Sequence, residues 1–207
     1  MSSDKVLRLP PPVDPGGKSV YQSLLARRTI RELSAADLTL QEISNILWAA
    51  KGVNRASSQF GLPGLTAASA SNSQEVDVYV ALRAGCYRFE PLESTLHLIV
   101  EGDHRRLALT PGQQLDVPLA PLQLIYVADV DKLVHTKGYQ EPHLQDPEFQ
   151  KAYYFVDTGL IAGNVYLYTA SVGLGSWFHN CSQSLKDTLK LGKHQRVLFA
   201  QSVGHPG

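Results

Sequence analysis

The stretch Glu148 to Val172 sets the tightest limit on what this chain can fold into. It reads as one long helix, and from Tyr153 onward it is apolar nearly all round. A helix with that pattern is buried in a core or at a subunit interface. Asp157, Thr158 and Asn164 are its polar interruptions. Gly173-Leu174-Gly175-Ser176 then breaks it, and a glycine after a long helix is most often a C-cap. No run approaches the roughly 18 apolar residues of a membrane span.

A chain of 207 residues fits one large domain better than two small ones. Residues 1–18 carry Pro10, Pro11, Pro12 and Pro15, then Gly16 and Gly17, and read as an extended arm ahead of a single domain over 19–207. Nineteen basic side chains balance nineteen acidic ones. That balance argues against a nucleic acid or an anionic membrane as partner, since both demand a basic excess. Cys86 and Cys181 are too far apart in sequence for a metal spacing or a disulfide framework. The seven histidines form no HxxxH or Cys/His spacing, so no metal site is expected. The N-terminus lacks the apolar core of a signal peptide. A soluble cytoplasmic protein is the expectation.

The remaining elements follow from local pattern. Ser19 is a plausible N-cap for a short helix from Val20 to about Arg27. Thr39-Leu40-Gln41-Glu42 reads as a capping box. Ile43, Ile46, Leu47 and Ala50 then recur at helical spacing, with Gly52 as a C′ residue. Residues 53–65 read as a loop. Val76, Val78, Val80 and Leu82 alternate with Asp77, Tyr79 and Ala81, which is a strand. Cys86–Pro91 and Thr95–Val100 complete a meander. Leu122–Ala128 is a near-continuous apolar run, hence a central strand. Asp129–Pro147 is an irregular excursion that could cover a site. Ser184 with Asp187 opens a short helix, and Arg196–Val203 is a last strand. This order is α+β, with an antiparallel or mixed sheet.

Three stretches could carry chemistry. In Arg27-Arg28-Thr29-Ile30-Arg31, an extended backbone would point Arg27, Thr29 and Arg31 to one side. Two guanidinium forks and a hydroxyl suit a phosphate with a polyol behind it; a solvated helix end is the alternative. The run Thr66-Ala67-Ala68-Ser69-Ala70-Ser71-Asn72-Ser73-Gln74 is small and hydroxylic. It would let a flat ring approach the backbone, or it is a polar loop before a strand. In Gly173-Leu174-Gly175-Ser176, backbone N–H groups could face a ligand atom that gains negative charge. There is no GxSxG elbow, no Walker A loop and no GxGxxG after a strand.

Taken in order, Arg-Arg-Thr-Ile-Arg, Thr-Ala-Ala-Ser-Ala-Ser-Asn before a strand, Asp157-Thr158-Gly159 with Ala162-Gly163-Asn164, and Gly173-Leu174-Gly175-Ser176 resemble the FMN-dependent nitroreductase family. Leu9-Pro10-Pro11-Pro12, Leu47–Val53, Tyr87–Pro91, Gly102–Arg105 and Gln201–Gly204 are similar to its azoline-dehydrogenase (SagB-type) branch. The resemblance implies a nitroreductase-like α+β fold, a mixed or antiparallel central sheet flanked by helices, in an intertwined homodimer with FMN at the subunit interface. It implies that Arg27, Thr29 and Arg31, joined by Arg28, hold the phosphate, ribityl and pyrimidine side of FMN. Ala68, Ser69, Ala70 and Asn72 would lie against the isoalloxazine from the other subunit. Leu174, Gly175 and Ser176 would lie near its reactive edge. The flavin carries the redox chemistry, and no catalytic side chain is named. The implied activity is a ping-pong hydride transfer from NAD(P)H through FMN to a small-molecule acceptor such as a nitroaromatic or a quinone. Alternatives are an azoline dehydrogenase of peptide natural products and a flavin-binding protein without turnover. Family members often carry Pro where Ala68 stands. They also commonly end in a basic tail that touches the FMN phosphate, a contact that in this chain is absent or supplied elsewhere.

Overall fold

A computed structural model describes residues 5–58, 61–113 and 119–207. The expectations for residues 1–4, 59–60 and 114–118 lie outside them. The elements run β1 (Val6–Arg8), α1 (Val20–Ala26), α2 (Leu40–Lys51), β2 (Val53–Arg55), β3 (Gly64–Leu65), β4 (Val76–Leu82), β5 (Gly85–Glu90), β6 (Thr95–Glu101), β7 (Leu122–Asp129), α3 (Val130–Val134), α4 (Pro147–Val172), β8 (Gly175–His179), α5 (Leu185–Thr188) and β9 (Gln195–Gly204). Seven strands form one sheet in the order β1-β6-β5-β4-β7-β9-β8. Every pairing in it is antiparallel.

Strand alternation builds a core on each face of this sheet. Val76, Val78 and Val80 of β4 share one face with Leu122, Leu124 and Tyr126 of β7, where α2 and α4 pack. The register pairs Val78 with Tyr126 and Val80 with Leu124. Tyr79 and Ala81 point to the other face and meet Cys86, Ile125, Val127, Cys181, Leu185 and Ala200. Both cysteines are therefore buried free thiols, each pushed up to about 11 by burial. They are packing groups, not nucleophiles.

The capping box at Thr39 is formed, with Glu42 accepting from the Thr39 backbone and hydroxyl. Ser19 forms a second box with Gln22. Helix α4 starts at an Asp146 N-cap and ends at Gly173, whose φ of 80° is the left-handed cap conformation. Its inward face is Asp157, Thr158, Ile161, Ala162, Val165 and Thr169. Its outward face leaves Phe149, Tyr153, Phe155, Val156 and Leu160 exposed. Helix α1 likewise exposes Val20, Tyr21, Leu24 and Leu25.

Several local expectations are corrected. The 53–65 stretch holds a two-stranded ribbon of β2 and β3 rather than loop alone. Part of the N-terminal arm is sheet: β1 pairs with β6, and Leu9 is buried in the core. The excursion after β7 contains α3 and a 3-10 turn at Pro142–Gln145. Strand β8 arises directly after the helix break, where only a break is expected. Gly52 caps α2 with an extended φ of −74°, not a left-handed one. Its glycine is required by packing, because a Cβ there would lie 2.2 Å from Trp48 Cδ1.

Candidate functional site

The cationic stretch is fixed where α1 ends. Arg27 leaves helical geometry at ψ 121°, and the chain then runs beside β8, held at its edge. The Ile30 N–H donates to Ser176 O at 3.0 Å, and Ser34 N–H donates to His205 O at 2.8 Å. Leu33 is buried beneath and bridges to Pro206. With the apolar side chains turned inward, the polar ones stand out. The Arg27 guanidinium lies 5.3 Å from the centre of the Tyr166 ring, and that of Arg31 lies 5.6 Å from the centre of Trp177. Thr29 Oγ1 is 3.2 Å from the Tyr166 hydroxyl, which also accepts the Phe178 N–H at 2.8 Å. Tyr166 thus ties α4, β8 and the stretch together. Arg27 and Arg28 border an open cleft of about 450 Å³ that Lys18, Ile30, Gly173 and Leu174 also line.

The small-residue run is a strained turn. Ser71, Asn72 and Gln74 have φ of 50°, 54° and 54°. Three non-glycine residues in the left-handed region persist only where surroundings over-determine them. Here the anchors are explicit. Asp157 Oδ2 accepts the Ala70 N–H at 2.8 Å, and Ser69 Oγ accepts the Gln74 N–H at 2.9 Å. The Asn72 and Gln74 amides both donate to Pro63 O. Lys51 Nζ donates to Gln74 O at 2.9 Å, and Asn164 Nδ2 to Thr66 O at 3.1 Å. Leu133 and Tyr139, from the excursion after β7, pack on Ala70. Ala68 and Ser69, with Asp157 and Lys51, also line a small cavity behind the turn.

The Leu174–Ser176 segment is more deeply engaged in the fold. Leu174 is buried, and its N–H donates to Thr169 O. Gly175 opens β8, and a Cβ there would lie 2.6 Å from Leu33 Cδ2 and 3.1 Å from Ile30 Cγ2. Its glycine therefore answers to the close passage of the cationic stretch. Ser176 Oγ is buried, 3.1 Å from Thr169 Oγ1.

The electrostatics concentrate behind the turn. Burial, then the neighbouring Glu75, pushes the Asp157 carboxyl up to about 7. Burial pulls the Lys51 ammonium below its usual range, against the opposing pull of Asp77 at 3.6 Å. Among the described residues no cluster of three or more His, Cys, Asp or Glu could hold a metal. His179 is held in the core between Asn180 O and Ser202 Oγ.

Arg27, Thr29 and Arg31 are brought together with Gly175 and Ser176, while Arg28 borders the neighbouring cleft. The Ala68–Asn72 turn is not beside them on the same chain. It joins α4 at Asp157, nine residues before Tyr166, or about 13 Å along the axis. Sequence reasoning misses Tyr166 and Trp177, because an aromatic residue in an apolar run looks like core. It also misses Lys51 and Glu75, whose partners are remote in sequence. Arg at two-residue spacing is a signal that an aromatic partner could have been sought.

Comparison with known proteins agrees with this architecture. The profile of the Nitroreductase family matches residues 24–205. A provisionally named nitroreductase of Methanocaldococcus jannaschii is 32% identical over 158 residues, 74% of each chain. The crystal structure of a provisionally named nitroreductase from Ralstonia eutropha JMP134 is 32% identical, covers 100% of this chain and 92% of its own, and superposes with a TM-score of 0.84. The NADPH:FMN oxidoreductase from Vibrio harveyi, solved with NAD+, shares the fold at a TM-score of 0.61 and 21% identity, over 90% of this chain and 68% of its own. With its sheet, its helix order and its sequence in agreement, the chain belongs to the nitroreductase family and is an oxidoreductase of that class.

Proposed function

We propose that the protein is an FMN-dependent NAD(P)H oxidoreductase that works as a homodimer by a ping-pong mechanism. The observation that carries this reading is the fixed comb of Arg27, Thr29 and Arg31 on Tyr166 and Trp177, beside a cleft bordered by Lys18, Arg27 and Arg28. These residues fit FMN chemically. Guanidinium forks and an ammonium match a phosphate, and the hydroxyl matches a polyol. Lys18 adds a third cation to the lining of that cleft. The anchored turn at Ala68–Asn72 offers small side chains and a rigid backbone to a flat ring.

When bound, the flavin supplies the hydride chemistry. The chain's own residues bind and orient it. The Arg comb would place positive charge where the reduced ring gains negative charge. Ser176 and Gly175 keep the comb in place through Ile30 and Leu33. Two observations support the dimer. The outward face of α4 and the face of α1 are apolar and exposed, and such patches mark protein contacts. The turn and the comb also stand apart on one chain, so a second copy could complete the site. The acceptor is proposed to be a nitroaromatic or a quinone. An azoline ring in a peptide rests on the branch motifs alone.

The test is the absorbance spectrum of purified protein with added FMN, before and after anaerobic NADH or NADPH. Bleaching of a bound flavin band is expected. A bound band that persists with both reductants means binding without this turnover. Failure to bind flavin would sink the reading.

A further inference from the structure

We propose that Glu75 and Asp157 hold one proton between them, and that this buried pair is the positioning device that sets the strained turn Ala68–Gln74. Glu75 is fully buried. Its Oε2 accepts the Ser73 hydroxyl at 2.6 Å, but Oε1 has no donor among the described residues. A buried carboxylate oxygen without a donor is costly. The Asp157 carboxyl and Glu75 line the same small cavity, of about 10 Å³, behind the turn. Two carboxylates give each other nothing, whereas a carboxyl and a carboxylate share a short hydrogen bond. One retained proton therefore supplies the missing donor and leaves Asp157 Oδ2 free to accept the Ala70 N–H.

The neighbours set the charge balance. From α2, Lys51 Nζ donates to Gln74 O and Val76 O and stands 3.6 Å from Asp77. From α3, Lys132 Nζ lies 2.6 Å from the same Asp77. Tyr139 faces the pair with a buried hydroxyl that has no partner among the described residues, and Tyr153 of α4 packs edge-on against its ring. Two ammonium groups thus face Asp77 and the single charge that the pair keeps. Loss of the proton would leave one negative charge uncompensated in a buried site. It would also set two like charges against each other at the joint between turn and α4. Burial and the neighbouring Glu75 push the Asp157 carboxyl up to about 7, in agreement with this arrangement.

Both carboxyls anchor one turn. Glu75 holds it through Ser73, and Asp157 holds it through Ala70, across the residues with left-handed φ. The joint therefore loosens as the proton leaves. Its consequence for a flavin ring rests on the function proposed above, but the proton itself does not.

Infrared spectra of the full-length protein, with and without added FMN, would test this across a pH titration. The expected result is a protonated-carboxyl band that survives to near neutral pH, where carboxyls in water are ionised above about pH 5. It should vanish in Asp157→Asn, and in Glu75→Gln, where burial alone is left to hold the Asp157 proton, it should be lost at lower pH than in the wild type. Hydrogen exchange over residues 66–74 gives the second readout. Protection of these amides in the wild type should fall by up to about tenfold per pH unit between about pH 4, where an exposed carboxyl ionises, and the Asp157 titration at about 7, and level off above it, as one coupled proton requires. In Glu75→Gln the fall should end at lower pH than in the wild type. No wild-type band above about pH 5, a band unchanged in the variants, or the same exchange profile in wild type and variant would overturn the proposal. Should a variant not fold, the wild-type band still decides. A shared proton without flavin binding would leave this inference standing and remove the functional one.

Discussion

Arg27 is the side chain whose role is most open to a direct measurement. It is exposed, yet its guanidinium rests on the Tyr166 ring rather than waving in solvent. A pre-positioned fork loses less freedom when it grips a phosphate. Replacing Arg27 with Ala should weaken FMN binding by about 1.5–3 kcal/mol, the worth of a charge-assisted contact. Flavin fluorescence titration reads this directly, and unchanged affinity would remove Arg27 from the site. Gly175 makes the opposite kind of claim. Its missing Cβ is occupied by Leu33 and Ile30, so Gly175→Ala should destabilise the fold by about 1–3 kcal/mol through overpacking. The Leu33 contact is with a side-chain methyl, which can shift, so the lower end is expected. Urea denaturation checks it, and a neutral result would mean that the stretch can move away from β8 at no cost.

Helix α4 shows what was legible in the sequence and what was not. Its span is readable because capping and a long apolar run are local signals: Asp146 begins it and Gly173 ends it. The same is true of α2, with its capping box, and of β4, with its alternation. Strand β8 is not readable, because Gly175 and Ser176 look like turn residues and their pairing with Gly204 and Val203 is remote in sequence. The cationic stretch is legible as a cluster, but its aromatic partners are not. The anchoring of the small-residue turn is also invisible, since Asp157 lies 87 positions from Ala70. The apolar nature of α4 all round leaves core or interface open. The structure answers by halves: one face is core, and Val156 and Leu160 on the other remain 60% and 45% exposed. If a second copy covers that face, Val156→Asp should shift the protein from dimer to monomer. Sedimentation at matched concentrations would show it. An unchanged mass would place the subunit contact elsewhere.

Folding stability should carry the imprint of the buried carboxyls, and the sign can be worked out. An unfolded Asp releases its proton near about pH 3.9, whereas Asp157 in the fold keeps it to about 7. Between those values the folded chain binds a proton that the unfolded chain has lost. Stability from this group is therefore full below about pH 4, falls as pH rises through the window, and levels off above about pH 7. His179 acts in the reverse direction. Burial lowers its affinity for a proton, so its contribution improves as pH rises toward the ordinary histidine range. The raw pH profile mixes the two. Glu75→Gln separates them, because it removes the like charge beside Asp157 and leaves His179 untouched. The stability of the wild type relative to that variant should decline as pH rises toward about 7, over the part of the window that Glu75 adds to burial, and then stay constant. Urea midpoints measured across this range give the comparison. Parallel profiles would mean that Glu75 takes no part in holding the Asp157 proton and that burial alone keeps it.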